Sequence, residues 1–248
     1  MKKIPIFKSH YSIGRSILTL EAAGSSKETE PDSIFDLCVK YSIKDLYLVE
    51  DGLSGYLEAL KNSSELKINL RFGVRFLVCA DINKKDEESK STEHRVIIMA
   101  KNDKGVEQLI KLYEKASKVG FYYKPRLDFE TIHSLWTEDL IMCLPFYDSF
   151  IHENFLKGNH CVPMFKNIKP FLFEEDNDFI FDNLISKRLH EYAAQNKLEV
   201  IKTQTVYYHT RKDFLSYMTF RCINERSTLE KPQLEFFSSK NFCLENAL

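Results

Sequence analysis

The sequence lacks an excess of charge of either sign. Its 35 basic and 36 acidic residues give a net charge of -1 over 248 residues, so composition offers no overall electrostatic case for a nucleic-acid-binding protein. The six cysteines form no Cys-x-x-Cys pair and show no regular spacing. Four of them lie within apolar runs, which favours buried, reduced thiols in a cytoplasmic protein over a disulfide framework. These four are Cys38, Cys79, Cys143 and Cys222.

Long apolar runs and glycine-rich loops are also missing. Residues 1–8 contain no apolar core of a secretion signal, and the longest apolar stretch, Leu140–Phe146, is too short to span a bilayer. The chain has only eight glycines, none of them in a phosphate-binding loop, and no serine has the context of a nucleophile elbow. We therefore expect a cytoplasmic protein that does not associate with membranes.

Apolar runs alternate with amphipathic segments along the chain. A hydrophobic fraction of 44% with 13% aromatics is ample for a packed core. This alternation predicts an α/β fold with a parallel sheet covered by helices, and seven strands favour a distorted seven-stranded β/α barrel. We expect one domain over residues 1–248, with a polar loop at 83–93 and a C-terminal extension at 225–248. The predicted strands are Ile4–Phe7, Leu46–Val49, Phe72–Ala80, Arg95–Ala100, Leu140–Leu144, Pro170–Phe173 and Leu198–Lys202.

Three short segments have the order and spacing of a metal-binding motif set without its ligands. They read IFKSHYS at 6–12, VEDG at 49–52 and TQTVYY at 203–208. A fourth segment, GFYYKPRLD at 120–128, combines three aromatics, proline and arginine in an order that is improbable by chance. Together these segments resemble the PHP (polymerase and histidinol phosphatase) domain of bacterial DNA polymerase III alpha subunits, and the resemblance runs along nearly the whole chain.

The resemblance implies a TIM-like barrel whose metal ligands have been replaced. The family's histidines and acids would hold a metal cluster that activates water for phosphoester hydrolysis. At their positions this chain has mostly residues that cannot bind metals, including two cations. The degenerate positions are Ile6, Lys8, Glu50, Asp51, Arg75, Thr205 and Tyr207. We expect them to converge at the carboxyl ends of the strands, with Lys8 and Arg75 paired to Glu50 or Asp51, and no bound cofactor.

Weaker alternatives remain open at two places. Glu50 and Asp51 with His10 and His209 are candidates for a residual Mn, Mg or Zn site. Tyr122, Tyr123, Lys124 and Arg126 interleave aromatics with cations, which suits nucleic-acid contact. The structural alternative for this segment is rim packing, with Arg126 paired to a carboxylate.

The resemblance favours a noncatalytic role, although the sequence leaves enzymatic activity open. In several polymerases of this family the domain has lost its metal ligands, stabilises the polymerase and binds the proofreading exonuclease. We therefore expect a free-standing pseudoenzyme, phage-encoded or from a split polymerase, that serves DNA replication as a structural or interaction module. Its partners would be a replicative DNA polymerase or the exonuclease subunit. The alternatives are an active 3'–5' exonuclease or phosphoesterase with an altered ligand set, and a decoy that binds a host replication protein.

Overall fold

The apolar runs of the sequence form the strands, and the amphipathic segments form the helices. The computed structural model describes residues 3–25, 30–230 and 239–248. The chain divides into two compact units, the first made of residues 1–71, 176–180 and 202–248, and the second of residues 72–175 and 181–201.

Three parallel strands form the sheet of the first unit. They are β1 (Ile4–Phe7), β2 (Asp45–Glu50) and β8 (Val200–Val206). Strand β1 lies in the middle, with Ile6 opposite Tyr47 of β2 and opposite Thr205 of β8. Because neighbouring strands are parallel, their carboxyl ends lie at one edge of the sheet. The helices of this unit are α1 (Ile34–Lys40), α2 (Tyr56–Glu65) and α8 (Phe214–Asn224), with 3-10 turns at Arg211–Asp213 and Leu244–Asn246.

Local signals explain where these helices begin. Ser33 caps α1, and its hydroxyl accepts a hydrogen bond from the Phe35 amide at 3.1 Å, as the Pro-Asp-Ser sequence before the helix predicts. Helix α2 follows the glycine-containing turn at 52–55.

The second unit contains the other five strands and five helices. The strands are β3 (Asn69–Val78), β4 (His94–Ala100), β5 (Arg126–Leu127), β6 (Leu140–Leu144) and β7 (Phe171–Glu174). The helices are α3 (Glu87–Lys90), α4 (Asp103–Lys118), α5 (Phe129–Leu135), α6 (Phe150–Leu156) and α7 (Asp182–Asn196).

The sheet of the second unit is mixed, so the prediction of a parallel sheet is wrong there. Strand β4 runs antiparallel to both β3 and β6, whereas β3 pairs with β5 and β6 with β7 in parallel. The connection from β3 to β4 holds only the four-residue helix α3. A parallel pair needs a longer crossover that is usually a full helix, so the chain turns back beside β3 instead.

The predicted fold class, α/β of the PHP type, is confirmed. All seven predicted strands form, and the two-residue β5 is added to them. The six cysteines are all buried with free thiols. Among the described residues, no helix is long and apolar enough to cross a membrane. The polar segment 83–93 joins β3 to β4 but includes α3 and the buried Ser89. The single-domain organisation and the extension at 225–248, part of which lies outside the described residues, stay predictions.

Candidate functional site

Six of the seven degenerate positions lie at or near one edge of the first unit's sheet. Ile6 and Thr205 face each other across β1 and β8. Lys8 follows β1, and its amide donates to the carbonyl of Val206 at 3.2 Å. Strand β2 ends at Glu50. Asp51 and Tyr207 come directly after β2 and β8. The seventh position, Arg75, belongs to β3 in the second unit.

Glu50 is a buried carboxylate held by two serines. Its side chain is 1% exposed and accepts hydrogen bonds from the Ser9 amide, at 2.9 Å, and from the Ser12 hydroxyl. The Ser12 oxygen in turn accepts a hydrogen bond from the Asp51 amide at 2.9 Å. Burial raises the pKa of Glu50 because it penalises the charged form, while Lys8 and the serine hydrogen bonds act in the opposite direction.

Lys8 places a positive charge beside the two acids Glu50 and Asp51. The residue is 3% exposed, and its ammonium group lies 2.7 Å from Oδ1 of Asp51. Arg15 approaches the other oxygen of Asp51 at 3.9 Å. A buried lysine must be paired or give up its proton. The Lys8–Asp51 pair therefore places a side-chain cation where the resemblance predicts metal ligands.

Arg75 has a carboxylate partner that the sequence did not point to. Within the second unit, its guanidinium donates a hydrogen bond to Oδ2 of Asp148, and Arg75 is 9% exposed. Asp148 follows the carboxyl end of β6 by four residues. An acid shortly after an apolar strand is the signal that could have identified it, since side chains at strand ends frequently line sites.

The last degenerate position, Tyr207, packs against another aromatic side chain. The ring of Tyr207 is 5% exposed and stacks on Tyr217, with ring centroids 5.5 Å apart and an interplanar angle of 7°. Its backbone amide donates to the carbonyl of Phe242 at 3.0 Å. Ile6, also 5% exposed, adds a second apolar side chain. These two side chains offer neither the imidazole nor the carboxylate of the family pattern.

The two histidines proposed as weak metal ligands have different surroundings. His10 is exposed and packs on Tyr11, with ring centroids 4.4 Å apart. His209 is buried, with Nδ1 3.1 Å from Asp32 and Nε2 2.9 Å from the Tyr41 hydroxyl. Within the described part of the first unit, the group of potential ligands that includes His209 is completed by Asp32 and Asp213, and does not include Glu50 or Asp51.

The aromatic segment at 120–128 is partly buried and partly exposed. Arg126 is fully buried, and its guanidinium donates to the carbonyls of Gly120 and Lys84, to Ser89 and, at 3.3 Å, to Glu93. This network favours the structural alternative for Arg126.

The remaining candidates of that segment stay accessible. Tyr123 is 72% exposed and Lys124 is exposed. The rings of Tyr122 and Tyr123 meet edge to face at 4.7 Å, beneath the ammonium group of Lys90. A partly exposed aromatic pair beside cations retains the elements for stacking on a base or on a partner side chain.

Comparison with known proteins identifies the family. A family model described as the PHP domain matches residues 25–169, more than half of the chain. The chain belongs to the PHP domain family. This confirms the resemblance seen in the sequence motifs.

Two curated relatives are both named DNA polymerase III subunit alpha. The chain is 30% identical over 201 residues to DNA polymerase III subunit alpha of Aquifex aeolicus (strain VF5), covering 76% of this chain and 16% of the relative. It is 24% identical over 224 residues to the protein of that name from Borreliella burgdorferi, covering 82% and 19%. The PHP chain thus spans about a sixth to a fifth of the length of these relatives.

A solved structure also aligns with the chain. It is described as a metal-dependent phosphoesterase from Bifidobacterium adolescentis and aligns with a TM-score of 0.45 and 9% identity, covering 82% of this chain and 87% of that one.

Proposed function

We propose that this PHP domain is catalytically inactive and acts as a structural or protein-interaction module in DNA replication. The observation that carries the proposal is the pair of ionic contacts at former ligand positions. Lys8 binds Asp51 at 2.7 Å, and Arg75 binds Asp148. Metal-assisted hydrolysis needs several histidines and carboxylates around its cations, and a fixed ammonium or guanidinium group repels a divalent ion at short range.

The degenerate residues are also integrated into the packing of the domain. Glu50 is satisfied by two serines, and Tyr207 stacks on Tyr217. Removing ligands alone would leave cavities and unpaired polar groups, which cost stability. Here hydrogen bonds and aromatic contacts occupy these positions. This supports selection for a stable scaffold after the loss of catalysis.

The replication context rests on similarity to DNA polymerase III alpha subunits over 76% and 82% of this chain. We infer that the domain binds a replicative DNA polymerase or its proofreading exonuclease. Co-purification of the domain with each of these subunits from the same organism tests this. A stable one-to-one complex with either supports the proposal, whereas exclusive capture of a host replication protein supports the decoy alternative.

A hydrolysis assay tests the inactive site. We expect no turnover of bis-p-nitrophenyl phosphate or single-stranded DNA above the buffer rate with Mn²⁺ or Zn²⁺. Asp51→Ala should leave that background unchanged. Metal-dependent turnover that Asp51→Ala abolishes would refute the proposal.

The active-enzyme alternative has one structural observation in its favour. Asp32, His209 and Asp213 place potential ligand atoms within 4.8 Å of one another, which is a ligand set different from the family's. His209→Asn separates this alternative from the degenerate site. Turnover lost in His209→Asn but kept in Asp51→Ala would establish an enzyme that uses a relocated metal.

A further inference from the structure

A second group of metal-ligating side chains lies in the other unit, where α6 begins. Asp148, His152 and Glu153 place one potential ligand atom each within 4.8 Å of one another. His152 and Glu153 are both 5% exposed, and Asp148 is partly buried. Asp148 precedes α6 by two residues and has a left-handed backbone with a φ of +62°, so the turn before the helix, rather than helical spacing, brings its carboxylate near His152.

The imidazole of His152 gives an independent reason to consider a ligand. Its Nδ1 atom is buried and has no hydrogen-bond partner. The carboxylate oxygen Oε1 of Glu153 lies 3.5 Å from this nitrogen, which is longer than a normal hydrogen bond. A buried polar atom left unsatisfied is costly. The nitrogen lies beside a carboxylate oxygen, and a cation bound between the two would give the nitrogen the partner that it lacks.

We propose that Asp148, His152 and Glu153 bind one divalent zinc ion. One imidazole nitrogen and two carboxylate oxygens are ligands that zinc accepts, and three protein ligands leave its fourth position for water. The ligand atoms of a tetrahedral zinc ion lie about 3.3 Å apart, given bonds of roughly 2.0 Å. A small rotation of these side chains would close the set around the ion. None of the three residues belongs to the seven degenerate positions.

Resident cations compete for the same carboxylates. The ammonium group of Lys157 lies 2.9 Å from Oε1 of Glu153, and Asn159 donates to Oε2 at 2.9 Å. The Lys157 side chain is 56% exposed, so it can move into solvent when a metal binds. Arg75 holds one oxygen of Asp148, and the two carboxylate charges of the site must offset its repulsion of the ion. The zinc ion must therefore displace Lys157, and removing this lysine should strengthen binding.

Equilibrium dialysis and calorimetric titration of the full chain with Zn²⁺ test the site. We expect one zinc ion per chain, at least tenfold weaker binding in His152→Asn and tighter binding in Lys157→Met. The matched control is His190→Asn, because His190 also lies 2.9 Å from a glutamate, Glu174, but is half exposed. Its affinity should equal that of the parent protein.

Cobalt provides a second measurement that does not depend on activity. Co²⁺ bound at this site should give visible absorption bands that His152→Asn removes and His190→Asn keeps. Zinc binding that is unchanged in His152→Asn overturns the proposal. It is also overturned if Lys157→Met, whose substituted side chain is largely in solvent, binds zinc no more tightly than the parent. Neither result bears on the hydrolysis assay, whose test variant, Asp51→Ala, lies in the first unit.

Discussion

At the scale of single residues, two buried cations occupy positions where the resemblance predicts metal ligands. Lys8 and Arg75 each contact a carboxylate and are nearly buried. Breaking one member of a buried ion pair leaves the other charge uncompensated, which costs about 3–5 kcal/mol. We therefore expect both cations to contribute to the stability of the folded domain.

Arg75→Glu tests this expectation, because it restores the acid of the family pattern. We predict that it lowers the free energy of unfolding by about 3–5 kcal/mol, since the introduced carboxylate would face Asp148 instead of pairing with it. Urea denaturation measures the change. The control is Arg188→Glu on the surface of α7, where an exposed pair contributes about 1 kcal/mol or less. Strong stabilisation of Arg75→Glu by Mn²⁺ would instead reveal a latent metal site.

The burial of Glu50 predicts that the stability of the folded protein depends on pH. Its pKa is raised by burial in the folded state, so the folded protein binds the proton more tightly than the unfolded chain. The stability should then rise as the pH falls from above the raised pKa toward the unfolded value of about 4.3. Glu50→Gln removes this titration. The free energy of unfolding of the parent, relative to Glu50→Gln, should increase between pH 8 and pH 5, and a constant difference would contradict the assigned burial effect.

At the scale of elements, the connection after α4 is fixed by close packing. Gly120 follows that helix, and a Cβ atom built on it would lie 1.9 Å from the backbone oxygen of Arg126. Arg126 in turn ties the segment to the β3–β4 connection through Lys84 and Ser89. The GFYYKPR sequence thus encodes a backbone contact and a buried guanidinium network.

Gly120→Ala should consequently destabilise the domain by about 3 kcal/mol, because backbone atoms cannot move aside as a flexible side chain can. Thermal unfolding followed by circular dichroism measures the loss. Gly158→Ala is the comparison, because Gly158 has a φ of +67° and a Cβ atom added to it would meet no atom within 4 Å. Its cost should be limited to backbone strain of about 1 kcal/mol. Equal losses of stability in the two variants would show that the close contact with the Arg126 backbone does not cause the destabilisation.

At the scale of the whole molecule, the metal content separates a scaffold from an enzyme. An intact PHP centre would hold two or three ions, whereas the proposed site at α6 holds one. We predict no more than one metal per chain after purification with Mn²⁺ and Zn²⁺ and dialysis, as measured by elemental analysis. Two or more metals, lost in Asp51→Ala, would contradict the inactive assignment.

The sequence by itself determined the family, the α/β class and the seven main strands, because these follow from local motifs and apolar periodicity. Residue identity alone also shows that Ile6 or Tyr207 cannot bind a metal as histidine does, and the resemblance predicts ligands at these positions. The pairing of Lys8 with an acid after β2 was also predictable, because parallel neighbouring strands bring their carboxyl ends together.

Only the tertiary structure decided the partners of the other charged groups. Arg75 contacts Asp148, 73 residues later in the chain, and Arg126 is buried against carbonyls and Ser89 rather than presented to a ligand. The unsatisfied nitrogen of His152 is likewise absent from any local pattern. Burial and long-range pairing depend on how distant segments pack, and packing sets the free energy of each charge through its local solvation and its neighbours.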